Sequence, residues 1–374
     1  MEPNKIKIPF LVKKPILALG GHTKNTLCFA QGDTAYISPL HQDLGNWHDY
    51  LSFRKDLELF LKKKPKITAC DLHMGYQSSV VAEKLSSHYN LKKIQHHHSH
   101  IASGMVENGL KNEMIIGVAF DGTGLGADNN LWGAEFFIGN YQGFLRKAQL
   151  EYIPLPGAEM AIRQPWRVAL SWLYRVYKEK LFQVNIPFIR RINSKKWRLL
   201  KTMLDNRINS PLSSSMGRLF DAVGTILCDN FSSVSEAQIP KELENLAKKF
   251  KGTFFLRGYP CKIKKDKGMY IITPVELFKE LIQDIKEKKK KEEIAFKFHL
   301  SISLVTKEMC LRLRQESGLN KIVLSGGVFL NNILREMIFD LLYKSKFEVF
   351  FQRGLFSSDA GISLGQMALA NFSK

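Results

Sequence analysis

The sequence predicts an α/β protein of two lobes. Three observations carry this. Strand-like apolar segments and helical periodicities alternate along the chain. The length of 374 residues exceeds the usual size of one hydrophobic core. Glycine turns follow apolar strands near the start, in the middle and near the end.

Taken in order, "ILALGG" from Ile16 reads as a strand, "HTKN" as a polar turn, and "TLCFAQG" with "TAYISP" as the return. Leu51 to Lys63 has helical apolar spacing. Ile67 to His73 is a strand ending in polar groups, and a helix follows near Ser78 to Ser87. Leu91 to Gln95 is a short strand. From His97 on, Ile101, Met105 and Val106 recur at helical spacing, with the stop "NGL" at Asn108. "MIIGVAFDGTG" and "LWGAEFFIG" form a second hairpin-like pair. Helices are expected near Trp166 to Glu179, Met216 to Asp229, Glu242 to Lys249, Val275 to Lys290 and Ala295 to Glu316. The end alternates: strand "KIVLSGG", helix Asn332 to Tyr343, strand "FEVFF", helix from Asp359.

Bulk properties narrow the class. Hydrophobic content of 45% fits a globular protein, and no apolar run reaches the roughly 20 residues that span a bilayer. The opening residues show no secretory signal pattern. Cys28, Cys70, Cys228, Cys261 and Cys310 lack CxxC spacing, which speaks against a zinc ribbon and for a reducing cytoplasm. The formal charge is +20. Much of it lies in local runs, Lys62 to Lys66, Arg190 to Arg198 and Lys286 to Glu293, which read as solvated faces and loops. Nucleic-acid binding is therefore not the expectation; attraction to anionic substrates or an acidic partner accounts for the charge as well.

"IQHHHSHIAS" holds four of the ten histidines. On a helix His96 and His100 sit at i and i+4, so one face can offer both imidazoles to one metal ion. The same run is also compatible with a polar helix start, because a metal site needs more ligands. Asp121 ends a strand beside this helix and can complete a His/His/Asp set. Asp359, at a helix start, is either an N-cap or a fourth, oxygen ligand. An N₂O₂ set suits a divalent metal, iron or zinc. Neutral His97 or His98 can accept a proton from a nucleophile or orient the ligands. The glycine turns, at Gly20 to Thr26, Asp121 to Gly124 and Ser325 to Val328, permit close backbone approach to phosphate oxygens. Each alone is an ordinary turn. Their joint layout describes a nucleotide cleft between two lobes, of the actin/sugar-kinase type.

Several strings in order carry a resemblance: "LALGGHTKNTLC", "DLH", "IQHHHSHIAS", "GVAFDGTGLGADNNLWGAEFF", "IRQPWRVAL", "SMGRLFDAVG", "LSGGVFLNN" and "SSDAGISLGQ". From about Ile16 to Ala370 the chain resembles the C-terminal transferase domain of HypF, the NiFe-hydrogenase maturation carbamoyltransferase. The resemblance implies an ASKHA fold with metal ligands at His96, His100, Asp121 and Asp359. It implies nucleotide-binding stretches at Lys24, Asn25 and Thr26, at Gly122, Thr123 and Gly124, and at Gly326, Gly327, Val328 and Asn331. It also implies transfer of a carbamoyl group from carbamoyl-adenylate, made from ATP at a YrdC-like domain, to the C-terminal cysteine of HypE. Candidate catalytic groups are His97, His98 and Asp221. Arg163, Arg167, Glu236 and Gln238 are further candidates for ligand contact.

The acylphosphatase, zinc-finger and YrdC-like segments of the family have no counterpart in these residues, so a separate YrdC-like protein is expected as a partner beside a HypE-like acceptor. The family's "EGQAA" reads "EAQIP" at Glu236 to Pro240, with Pro240 expected to interrupt a helix start. "DGG" reads "DAG" at Asp359 to Gly361. Rival readings are carbamoylation of a small-molecule hydroxyl and a non-catalytic nucleotide-binding scaffold. The expected division is residues 1–112, joined by the final helix 359–374, and residues 113–358.

Overall fold

The computed structural model describes residues 3–228, 230–232, 237–252, 256–352 and 358–373. The first sheet starts with β1 (Asn4–Ala18). The chain continues through β2 (Thr23–Asn25), β3 (Cys28–Ile37), β4 (His41–Asp43), α1 (Trp47–Leu61), β5 (Ile67–Asp71), α2 (Gln77–Leu85), β6 (Asn90–Ile94) and α3 (His96–Glu107). Strand order is β3-β1-β5-β6, with β1 antiparallel to β3 and the other pairs parallel; β2 and β4 pair separately. β1 is longer than its sequence suggests. In "NKIKIPFLVKK" Ile8 and Val12 reach the core while the lysines face outward, the alternation of a half-buried strand.

Alternation also explains how this sheet is covered. Leu17 and Leu19 pack with Phe53, Leu57 and Phe60 of α1. Ile16 and Ala18 point the other way, into a cluster with Ile101 and Met105 of α3.

The larger sheet contains β7 (Ile115–Leu125), β8 (Leu131–Asn140), β9 (Gly143–Leu150), β10 (Ile153–Pro154), β11 (Leu212–Ser213), β12 (Lys262–Asp266), β13 (Met269–Thr273), β14 (Lys321–Ser325) and β15 (Glu348–Phe351). Its main path is β12-β13-β9-β8-β7-β14-β15. Around it lie α4 (Glu159–Arg163), α5 (Trp166–Tyr177), α6 (Pro187–Arg190), α7 (Ser194–Asn206), α8 (Met216–Cys228), α9 (Gln238–Lys249), α10 (Val275–Lys286), α11 (Lys291–Ser317), α12 (Asn332–Lys344) and α13 (Ile362–Phe372).

Helices α3 and α13 lie between the sheets, and their shared cluster takes Ile16 and Ala18 from one and Ala119, Phe137 and Val323 from the other. The two helices touch because of Gly365: a Cβ there would sit 1.9 Å from the Ser99 carbonyl oxygen. This contact fixes the residues before α13 against the start of α3.

The basic stretch Arg190 to Arg198, read as a solvated face, keeps its basic side chains exposed and runs into α7. Asn193 caps that helix, Leu200 is buried, and Trp197 packs edge-on against Tyr174. Two elements differ from the sequence expectation. Pro240 does not interrupt α9: it lies in the first turn, where a missing N–H costs no helical bond. The residue before that helix, Ala237, adopts φ +59, a left-handed conformation that favours glycine. Finally, β9 and the β12–β13 hairpin extend the sheet where the sequence reading assigned no element, since their charged residues mask the strand pattern.

Candidate metal centre

Gln95 caps α3, accepting from the His98 amide at 3.0 Å, and so starts the helix at His96. One turn later comes His100; both imidazoles are almost fully buried. β7 brings Asp121 to them, and the 3₁₀ turn Ser358–Gly361, seated by α13, brings Asp359. His96 Nε2 lies 3.4 Å from Asp121 Oδ2 and 3.9 Å from Asp359 Oδ1. For His100 Nε2 these distances are 3.5 and 3.6 Å. The four ligand atoms fall within 4.8 Å of one another.

These separations are too long for good hydrogen bonds but suit ligands of one ion. With metal–ligand bonds of about 2.1 Å, atoms around a tetrahedron stand roughly 3.4 Å apart. His96 Nε2 and His100 Nε2 are buried without a hydrogen-bond partner among the described residues, an expensive state unless something else binds them. The residues therefore fit a metal. Asp359 is a ligand candidate rather than a cap, because α13 starts after Gly361 with no side-chain cap.

Electrostatics agree. Burial opposes charge on His96, yet Asp71, with Asp121 and Asp359, outweighs it and raises the imidazole well above its ordinary range. His100 is raised too, against its burial, by Asp121 and Asp359. Burial likewise opposes ionisation of Asp121, but His100 and His96 hold it well below the usual carboxylate range. A cation entering this centre replaces protons, so its binding is coupled to their release.

Asp71 has no metal-ligand position but is central. Its Oδ2 accepts from His96 Nδ1 at 2.7 Å, leaving the Nε2 lone pair for the centre. The sequence shows only a strand-end "DLH"; no spacing rule links it to His96. The parallel pairing of β5 with β6, Asp71 opposite Ile94, makes the connection.

The other two histidines separate. The His98 ring lies against Phe137 and Phe144, with centroids 5.0 and 5.4 Å away, and burial pushes its pKa down to about 4. It is a packing residue, not a base at the centre. His97 is buried beside the centre, and burial holds it well below its ordinary pKa. The Gln95 amide is oriented by the His98 amide and by the Leu125 carbonyl, and its Nε2 faces His97 Nδ1 at 3.2 Å. Nδ1 thus accepts, and the ring proton sits on Nε2, which has no partner among the described residues. Neutral His97 is arranged as a donor, so the base role expected for it is corrected. Asp221 pairs with Arg218 Nη2 at 2.9 Å; burial raises its pKa and Arg218 opposes the rise. The pair adjoins the centre through Gly122, where a Cβ would stand 3.9 Å from Arg218 Nη2.

The expected nucleotide residues divide. Asn25 Nδ2 donates to the Leu19 and Gly21 carbonyls, and its Oδ1 meets His41. Thr26 Oγ1 donates to the Ala360 carbonyl, tying β2 to the turn that carries Asp359. Asn331 caps α12 and contacts His299. These three side chains are committed to the fold rather than free for a ligand. Gly124 makes room for imidazoles: a Cβ would be 2.7 Å from the His97 ring and 2.9 Å from that of His96. Gly326, at φ +105, makes room for the Phe120 carbonyl. Gly327 donates its amide to Asp121 Oδ1 at 3.2 Å, so this turn supports the centre directly. Val328 packs at the core margin. Lys24 takes φ +46 on β2, and Thr123 is half-buried at the end of β7. Arg163 forms an exposed pair with Glu159, Arg167 bonds Gln164 and the Pro156 carbonyl, and Gln238 bonds Glu242. Asp229 and Glu236 lie outside the described residues.

Comparison with known proteins places this geometry. The family described as HypF Kae1-like domain matches residues 12–107, and that described as carbamoyltransferase, Kae1-like domain, second subdomain, matches residues 117–366. Carbamoyltransferase HypF2 of Cupriavidus necator is 30% identical over 95% of this chain and 46% of its own length. Probable carbamoyltransferase HypF of Methanocaldococcus jannaschii is 30% identical over 97% of this chain and 47% of its own. The chain thus spans about half the length of these curated relatives. A carbamoyltransferase HypF homolog of Cupriavidus necator, also 30% identical, is covered over 91% of its length. Full-length HypF crystallised in the phosphate- and nucleotide-bound form superposes with a TM-score of 0.91 at 35% identity, over 99% of this chain and 48% of that one. HypF of T. kodakarensis gives 0.86 at 28% identity, over 99% and 49%. With its two-lobed ASKHA-type α/β fold, the chain belongs to the HypF carbamoyltransferase family.

Proposed function

We propose that the chain moves a carbamoyl group from carbamoyl-adenylate to an acceptor, the C-terminal cysteine thiolate of a HypE-like protein, in cyanide-ligand synthesis for NiFe-hydrogenase. The observation that carries this reading is the convergence of His96, His100, Asp121 and Asp359 within 4.8 Å on a fold of this family. Bound there, a divalent iron or zinc ion supplies charge that polarises a carbonyl or holds a phosphate. Asp71 keeps His96 in the ligating tautomer. The His97 Nε2 proton is a donor for charge that develops on an oxygen during transfer. Arg218, beside Gly122, offers positive charge to the adenylate phosphate.

We assign the transfer step to these residues, which match the Kae1-like half of the longer relatives, and adenylate formation to a YrdC-like partner. The test uses radiolabelled carbamoyl phosphate, ATP and a HypE-like acceptor. The chain alone should release little pyrophosphate, and label should reach the acceptor cysteine once the YrdC-like protein or preformed carbamoyl-adenylate is added. Efficient adenylate formation by the chain alone contradicts the split. Failure to transfer from preformed adenylate contradicts the function.

A further inference from the structure

Glu135 lies in the middle of β8 and is fully buried, and its neighbours Ala134, Phe136 and Phe137 are all core residues. A buried carboxylate is costly unless its lone pairs are used, and an apolar side chain of similar volume would spare that cost. The transfer described above makes no use of it. Its Oε1 accepts from the Gly133 amide at 3.1 Å, the Ala134 amide at 3.3 Å and the Ser214 hydroxyl. Oε2 accepts from Arg146 Nε at 2.5 Å. Arg146 is itself fixed: its guanidinium carbon lies 3.9 Å from the Trp132 ring centroid, and Nη1 bonds Asp128 and Tyr152. Each of these partners of Glu135 is a donor, so the position suits an acceptor-only carboxylate and not an amide.

The bond to Ser214 connects this anchor to the metal centre. The Ser214 amide donates to the Leu131 carbonyl, which ties the segment to the start of β8. Ser215, the next residue, joins three groups through one hydroxyl. Its Oγ accepts from the Arg218 amide at 3.1 Å, capping α8, and bonds the carbonyls of Asp121, at 3.0 Å, and Gly122. Clearances here are small. A Cβ on Gly133 would lie 2.7 Å from the Asp121 carbonyl oxygen and 3.0 Å from Ser215 Cα, and one on Gly217 would lie 3.0 Å from Gly122 Cα. The segment Ser213 to Ser215 thus sets where α8 starts relative to the Asp121–Gly122 turn. Arg218 stands in the first turn of that helix, buried, with Nε unpartnered among the described residues. Its placement beside the centre depends on this register.

We propose that Glu135 is a positioning residue: through Ser214 it fixes the start of α8 on the Asp121–Gly122 turn and so aims Arg218 at the phosphate of the ligand bound at the metal centre. This rests on the proposed function of that centre. The test uses cobalt(II)-loaded protein with AMP as the probe. It compares wild type, Ser214→Ala, Glu135→Gln, Arg218→Met and the Ser214→Ala/Arg218→Met pair. Metal content, the cobalt absorption spectrum, melting temperature and AMP affinity by calorimetry are the readouts. Ser214→Ala is the milder variant, because it leaves the Glu135–Arg146 pair in place. It should keep the metal and the AMP-free spectrum while AMP affinity falls about 5-fold, and Arg218→Met should lose about 10- to 100-fold. Glu135→Gln should lose at least as much as Ser214→Ala. In the Arg218→Met background Ser214→Ala should cost no further affinity, since its effect passes through Arg218. Unchanged AMP affinity in Ser214→Ala, or in a folded Glu135→Gln, overturns the inference. So does an undiminished additional loss in the double variant, which marks a general structural role, and so does unchanged affinity in Arg218→Met. If cobalt-loaded wild type binds no AMP, the reading of the centre fails first and the inference falls with it.

Discussion

At the histidine centre, ligand atoms from three elements converge, and the two imidazole nitrogens lack hydrogen-bond partners among the described residues; at the glycine turns, Asn25, Thr26 and Asn331 are already bonded to the fold. His96 Nε2 and His100 Nε2 illustrate the first condition. Asn25, Thr26 and Asn331 illustrate the second. Both regions carry polar residues in a pattern that suggests binding. The difference is that buried polar atoms without partners demand an occupant, whereas satisfied ones explain themselves. On the proposed function, nucleotide contacts at the turns would then come chiefly from backbone and from neighbours such as Arg218.

The sharpest way to break this contrast is to disturb the support of the centre without touching a ligand. Asp71→Asn removes the negative acceptor for His96 Nδ1 while nearly preserving shape. Metal affinity should fall by about 10- to 100-fold, measured by competition with a chelator of known strength. An unchanged affinity would mean that Asp71 only packs. A smaller effect is expected at the other region. Asn331→Ala should cost about 1 kcal/mol of stability through loss of the α12 cap, seen in a denaturant titration. Its AMP affinity should match wild type. A large loss of AMP affinity in a folded Asn331→Ala protein would show that the side chain serves the ligand after all, and the contrast would fail.

The same contrast shows what can be read from a sequence. The pair His96 and His100 is visible because helical period alone puts i and i+4 on one face. Asp121 and Asp359 are visible as polar ends of apolar elements, though their convergence depends on α13 docking on α3 through Gly365. Asp71 is not visible, since it reaches His96 only through the pairing of β5 with β6. Glycine is ambiguous in principle: a missing side chain can admit a ligand or a neighbour. At Gly124 the neighbour is the imidazole pair, and at Gly326 it is the Phe120 carbonyl. For the fold, alternation of helix and strand gave the class, while β1 was blurred by lysines on its solvent-facing side and β9 by Arg146 and Lys147, the arginine being largely buried against Glu135 and Trp132. His98 lay within a suggestive run, yet its direction on α3 sends it to Phe137 and Phe144.

The central claim is that His96, His100, Asp121 and Asp359 hold one metal ion. Elemental analysis of the chain purified from cells without added chelator tests it most directly, run beside a folded His96→Ala/His100→Ala variant. About one iron or zinc per chain in the wild type, and its loss from the variant, is the result expected of a site built from these ligands. Undiminished stoichiometric metal in the variant would contradict the account.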